Sequence, residues 1–454
     1  MLSEARKALA PVYLFACLIL GGSAQGIWQN MILQIAGIAI IACSAGARSD
    51  DPLSRPARQL LLIAGLGIAI VGLQMVPLPA SVWPNLGPRG MLADGYRVLG
   101  LAVPAQPLSV TPAETLNSLL GIIPPLAIFC AMVRLKAYRP LWMAGALLAG
   151  TVAGILIGAL QVASSAGPES GWYLYAETNY GTAVGFFANV NHMATLLVIT
   201  LPFVAAMAAS GKRENMQRYS AILALTAGAA LVILVGLALN GSLAGYGLAL
   251  PVIAASLLIV LPSNSRLRIW AVIAAGLLLI AALAALEATS IGSSRIGQDA
   301  TTSVQSREQI FSTTEEAIHD FMPWGSGLGS FRQVYQLYEH PDRVTNEYVI
   351  HAHNDYVELA LELGLAGIVV MLLFLAWWAV AVWRVWRSAE AGPYARAAAI
   401  ASAAILAHSL VDFPLRTAAI AACFGMCLAL LADRRAPVPR ESSELRPARH
   451  VVFR

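Results

Sequence analysis

Twelve stretches of about twenty apolar residues decide what this chain can become. They run near 9–24, 27–46, 59–76, 113–134, 141–163, 183–210, 219–239, 243–262, 267–287, 356–386, 394–411 and 415–432. About twenty helical residues cross the hydrocarbon core of a bilayer. Backbone groups inside that core must bond within their own segment. The expectation is an all-α polytopic membrane protein with about twelve transmembrane helices. Composition agrees: only 12% of residues are charged, against roughly 25% in soluble domains, so much of the surface must meet lipid. The first run follows Arg6 and Lys7, as a signal peptide does, but no clear small-x-small cleavage site follows it. It is read as a spanning helix.

Short-loop charges set the orientation. One side receives Arg6 and Lys7, then Arg48, Arg55 and Arg58, then Arg134, Lys136 and Arg139. The same side receives Lys212, Arg213 and Arg218, then Arg266 and Arg268, then Arg384, Arg387 and Arg396, and finally Arg434 and Arg435. Every second connection is basic, and the short ones between nearly lack Lys and Arg. Both termini are therefore expected in the cytoplasm. The formal net charge of +4 is accounted for by these topology determinants, so nucleic acid is not an expected partner; membrane lipid is. The five cysteines, Cys17, Cys43, Cys130, Cys423 and Cys427, all lie in apolar stretches. They read as packing residues, not as a disulfide framework or a zinc ribbon.

Two long connections then fall outside. The first, 77–112, is rich in proline and is expected to lie along the membrane surface as irregular structure. The second, 288–355 between the ninth and tenth helices, is far longer than a helix connection needs, which marks it as functional. Within it, Ile310, Phe311, Thr314 and Ile318 recur at helical spacing, so an amphipathic helix is expected over 306–319. A turn follows at Pro323 to Gly329, then a short helix with Phe331, Tyr335 and Tyr338. The domain boundaries are 1–434 for the membrane unit and 435–454 for a tail expected to be disordered.

Polar side chains inside spanning helices are costly and mark sites. Three groups lie at the outer leaflet. Asn189 and Asn191 stand where the sixth helix enters; they either shape a pocket or cap and cross-link helices. The segment His351-Ala352-His353-Asn354-Asp355 runs into the tenth helix, with Asn354 or Asp355 as its N-cap. Unpaired N–H groups at such an end favour phosphate, and either imidazole can take a proton near neutrality. No third ligand accompanies the His-x-His pair, so a metal is not expected. Glu358 and Glu362 follow one turn apart, placed to orient a histidine or an arginine or to face water. The third group is Arg295, Arg307, Arg332 and Arg343 in the second connection; arginine binds diphosphate bidentately, and Arg307 is the best placed. His408, Asp412 and Arg416 share a helical spacing and read as a structural polar cluster.

In this order and topology, these residues resemble the O-antigen ligase and polymerase superfamily of bacterial membrane glycosyltransferases. His353-Asn354, nine residues, then Gly364 and Gly367 fit the ligases' His-Asn, Gly-x-x-Gly spacing. Asn189-Val190-Asn191 looks like the family's Asn-x-Asn motif, and Ser306-Arg307 with the Gly325–Phe331 turn looks like its loop arginine and glycine-rich segment. The chain departs at Asn240 to Gly245, where many relatives carry Ser-Arg-Gly; no arginine stands here, and its role falls to Arg307 or Arg332.

The resemblance implies a GT-C-like fold in the bacterial inner membrane with a periplasmic site. It implies a metal-independent enzyme without cofactor. The donor would be a glycan on undecaprenyl diphosphate, and the acceptor lipid A core or a growing glycan. On this reading His353 and Arg307 are catalytic, as base and diphosphate binder, while Asn189, Asn191, His351, Asn354, Arg332 and Glu358 bind substrate. A polymerase of the same family is the alternative, and a polysaccharide or lipid transporter a more distant one.

Overall fold

The computed structural model describes residues 2–24, 27–47, 52–164, 167, 169–211, 216–261, 266–281 with interruptions, 295–341, 344 and 348–433. A short helix, α1 (Leu2–Lys7), leads into α2 (Leu9–Leu20), α3 (Trp28–Gly46) and α4 (Arg55–Gln74). The first long connection carries an antiparallel ribbon, β1 (Pro77–Leu78) on β2 (Gln106–Pro107), and a helix, α5 (Arg89–Val98). Next come α6 (Pro112–Leu120), α7 (Ile123–Val133), α8 (Pro140–Ala163), α9 (Val190–Ala209), α10 (Met216–Asn240) and α11 (Leu243–Val260). The second long connection holds α12 (Arg295–Phe321) and α13 (Phe331–Tyr338). The chain then forms α14 (Asp355–Arg387), α15 (Pro393–His408), a 3-10 turn at Pro414–Arg416, and α16 (Ala418–Ala432).

The protein is an all-α polytopic membrane protein. Among the described residues, eight helical stretches are long and apolar enough to cross a bilayer: α3, α4, α6 with α7, α8, α9, α10, α11 and α14. Helices α2, α15 and α16 are shorter, at 12, 16 and 15 residues. The ninth expected span falls mostly outside the described residues, as does the tail. A helix that is apolar all round belongs in a core, and α16 is buried along its whole length. Helix α9 is buried from His192 to Val204 and packs on α8, α10, α11 and α15. Outer helices instead show apolar side chains to the bilayer, such as Ile35 and Ile38 of α3 and Leu372 and Trp383 of α14.

The basic connections gather at one end. There Lys136 Nζ lies 2.8 Å from Asp433 Oδ1, Arg134 Nη2 donates to Ala47 O at 2.9 Å, and Arg139 pairs with Glu4. Both long connections lie at the other end, as the alternation of basic and neutral loops requires.

At that outer end the first connection is more ordered than its prolines suggest, and α5 was not expected. The organising residue is Arg89, fully buried and, among the described residues, without a carboxylate partner. Its guanidinium donates to Leu86 O at 2.8 Å, to Leu108 O from both Nε (3.0 Å) and Nη2 (2.5 Å), and to Gly325 O at 2.6 Å. Arg89 thus ties the first connection to the glycine-rich turn of the second. Helix α12 extends beyond the expected 306–319, and α13 forms where expected. Ile310, Ala317, Phe321, Phe331, Val334 and Tyr335 make a small apolar core of their own, which also takes in Ala352 and Leu361. This core seats the second connection on the top of α14.

Helix α14 is interrupted where that turn docks. Gly364 has φ 61° and ψ −151°, a conformation essentially reserved for glycine. The break frees carbonyls that the turn then satisfies: Ser326 N donates to Leu361 O at 3.0 Å and Gly327 N to Glu362 O at 2.9 Å. Gln74 Nε2 also donates to Glu362 O at 2.9 Å, and Leu365 N to Pro323 O at 3.0 Å.

A buried histidine, carboxylate and arginine centre at the outer end

The His351–Asn354 segment, the first turns of α14 and the turn after α15 meet beside the start of α9. Asn354 is the N-cap of α14; its Oδ1 accepts from Tyr356 N at 3.0 Å and Val357 N at 3.1 Å. Asp355 N donates to Ser409 O and Glu358 N to Asn354 O. The first four N–H groups of α14 are thus already partnered. The free helix end expected as a phosphate seat is not there.

His353 has φ 50°, unusual for a side chain other than glycine. This backbone turns its imidazole toward the turn after α15, where Nδ1 lies 3.4 Å from Asp412 Oδ1. The ring is about one-third exposed (32%), while the Asp412 carboxylate is fully buried. Burial alone raises a carboxyl's pKa; against it, His353 and the nearby His192 imidazole hold Asp412 well below the usual carboxylate range. Phe413 N donates to Asp412 Oδ1 at 2.9 Å and fixes it further. The Phe413 ring packs against His351, His353 and His192, with centroids 4.2, 5.2 and 5.0 Å away.

His351 faces the other way. Its Nδ1 lies 2.9 Å from Glu358 Oε1, and Ala352 N donates to Glu358 Oε2 at 2.9 Å. Glu358 also meets Arg416 Nη2 at 3.2 Å. Arg416 lies 3.0 Å from Glu362 and 3.6 Å from Asp355 as well. The glutamates therefore orient a histidine and an arginine, as their spacing allowed. With three carboxylates around it, Arg416 is neutralised in place and unsuited to holding a diphosphate.

The asparagines form an adjoining network. Asn189 Oδ1 caps α9 by accepting from Asn191 N at 2.8 Å, and Asn191 Oδ1 accepts from Ser242 Oγ at 2.7 Å. Asn240, at the position of the departed family motif, donates to Ala183 O and Val190 O. Thr195 Oγ1 on α9 lies 2.7 Å from His408 Nδ1, which brings α9 and α15 together beneath the site.

Of the four loop arginines, the side chain of Arg332 alone falls among the described residues. Arg332 is exposed and stacks on Tyr348 at 5.2 Å. Arg307 and Arg295 lie within α12, but their side chains are outside the described residues, as is Arg343 altogether. Among the described residues no group of three or more His, Cys, Asp or Glu is arranged to hold a metal.

In sequence His408, Asp412 and Arg416 read as structural, His192 carries no assigned role, and Asp355 reads only as an alternative N-cap. Their signal was present: His408, Asp412 and Arg416 recur every fourth residue at the end of an apolar run. It lacked only the knowledge that this run ends beside His353.

The fold and this centre define a polytopic membrane protein with a histidine and carboxylate site at one face. Residues 227–372, about a third of the chain, match the family model described as O-Antigen ligase. The match runs from α10 into α14 and takes in Arg307, Arg332, His351, His353, Asn354, Glu358, Gly364 and Gly367. Asn189, Asn191 and Asp412 to Arg416 lie outside it. No curated protein matches the chain.

Proposed function

We propose that this protein is an O-antigen ligase-type enzyme of the bacterial inner membrane. It moves a glycan from a polyprenyl diphosphate, undecaprenyl diphosphate in the family's pattern, to a hydroxyl of lipid A core. The positive-inside rule puts the basic end in the cytoplasm, and hence the histidine centre on the periplasmic face. The observation that carries the reading is His353: a partly open imidazole in a left-handed backbone conformation, with Nδ1 against the buried Asp412 carboxylate. An imidazole held this way keeps Nε2 for a substrate proton, and the carboxylate stabilises the imidazolium that forms.

In the proposed step the acceptor hydroxyl loses its proton to His353 Nε2 as its oxygen bonds to the anomeric carbon. The bond from that carbon to the diphosphate oxygen breaks, and the electron pair leaves with the diphosphate. Loop arginines, Arg307 first, receive the leaving charge. Asn189, Asn191, His351, Asn354, Arg332 and Glu358 border the two substrates or fix groups that do. No metal enters the step.

The test is glycan profiling of a deletion strain complemented with wild type, His353→Ala or His353→Asn; asparagine tolerates the left-handed backbone. Loss of a general base costs about 10²–10⁴ in rate. Both variants should therefore leave lipopolysaccharide without long chains while lipid-linked polymer accumulates. Carrier-linked glycans shortened to single repeats would instead identify a polymerase, and an unchanged profile from well-expressed variants would remove His353 from the chemistry.

A further inference from the structure

The first turn of α9 brings a further imidazole to this centre, one that the proposed step does not use. His192 is 2% exposed. Its ring meets Phe413 edge-on, and neither Nδ1 nor Nε2 has a hydrogen-bond partner among the described residues. An orphaned buried polar group costs about 1–3 kcal/mol, so packing alone favours an apolar side chain at this position. The neighbour that matters is Asp412. Its Oδ1 takes the Phe413 N–H and faces His353, while Oδ2 is buried with no hydrogen-bond partner. Of the charges around His192, that of Asp412 acts on it most strongly. A buried carboxylate oxygen and a buried imidazole, neither with a hydrogen-bond partner among the described residues, thus occur in neighbouring side chains that interact electrostatically and share the Phe413 ring or backbone.

We propose that His192 is a positioning residue for glycan transfer, sharing the Asp412 carboxylate with His353. It donates an N–H toward Oδ2, directly or through one water, while Oδ1 faces His353. The proposal rests on the reading of His353 as base. A donor on Oδ2 draws off part of the carboxylate's charge and so limits how strongly Asp412 stabilises the His353 imidazolium. The titratable groups facing His192 are Asp412, His351, His353 and His408, with Arg416 and its three carboxylates behind His351.

Replacing His192 with Phe keeps the ring contact with Phe413 and removes the donor; His192→Gln keeps an N–H. Transfer is measured in membrane vesicles from the producing strain, using their own lipid-linked glycan, buffered from pH 5.5 to 8.5 and normalised to folded protein. His192→Phe should move the acid limb of the rate profile upward by about one pH unit, close to a tenfold loss below it. His192→Gln should restore the wild-type limb. An unmoved limb in His192→Phe, or the same displacement in both variants, overturns the proposal. Parallel His353→Asn vesicles separate the two readings: if they still transfer glycan, the base assignment fails whatever His192 does.

Discussion

Gly364→Ala tests whether the interrupted helix is what holds the second connection over the site. At φ 61° and ψ −151° a side chain brings backbone strain of about 1–3 kcal/mol. Space adds to this. A Cβ would overlap Pro323 O, lie 2.6 Å from Gly325 N and sit 2.8 Å from Trp324 C. These are backbone atoms of a turn pinned by Arg89, so no flexible side chain can yield. If the turn lifts, three bonds go with it: Ser326 N to Leu361 O, Gly327 N to Glu362 O and Leu365 N to Pro323 O. Each is worth about 0.5–1.5 kcal/mol, so the total destabilisation is roughly 3–6 kcal/mol. The assay is thermal unfolding of detergent-purified protein, beside the glycan profile of complemented cells. Gly72→Ala is the control: nothing lies within 4 Å of its Cβ, and alanine in a helix gains about 0.5–1 kcal/mol. A Gly364→Ala protein that melts with the Gly72→Ala control and transfers glycan normally would refute the reasoning.

Two further outcomes follow from the same contacts. Arg416→Met leaves Asp355, Glu358 and Glu362 buried without their counter-charge, a loss of about 3–5 kcal/mol; the purified variant should be scarce and polydisperse on size exclusion, and adding Glu362→Gln should recover part of it. Asn191→Ala and Ser242→Ala each delete the 2.7 Å hydrogen bond between these side chains, at about 1 kcal/mol; if Asn191 also shapes the substrate pocket, only Asn191→Ala lowers transfer per folded molecule, and equal transfer by the two variants confines Asn191 to a structural role.

The fold was legible because lipid imposes a coarse code. Apolar runs marked the helical membrane class and alternating basic loops put both long connections at one end, and the amphipathic period over 306–319 found the core of α12; of the twelve expected spans, eight stretches among the described residues are long and apolar enough to cross a bilayer. Other features needed three dimensions. Arg89 reads in sequence as an ordinary loop arginine, because its partners are backbone carbonyls that carry no residue signature. Gly364 and Gly367 read as helix-packing residues, yet Gly364 ends one helical segment and begins another, and only the docked turn reveals it. The cap at Asn354 suggests a free phosphate-binding end for α14, yet Asn354 itself takes three of the first N–H groups and Ser409 O, more than fifty residues away in sequence, takes the fourth. His353 was found by motif, whereas its partner Asp412 was passed over for want of any visible neighbour.

The distribution of charge completes the functional argument. Asp355, Glu358 and Glu362 pair with Arg416 while Asp412 faces His353, so buried carboxylates outnumber the single guanidinium of this centre. A diphosphate is repelled from such a place: two like charges 8 Å apart at an effective dielectric of 20 cost about 2 kcal/mol per pair. On the proposed reading the leaving group therefore belongs away from these acids, toward the arginine-bearing connection. The acidic side suits the other half of the reaction. Negative charge there favours the positive charge that develops at an anomeric carbon in glycosyl transfer. On the proposed reading the sugar carbon lies between these two fields, with the accepting hydroxyl toward His353 and the diphosphate toward α12.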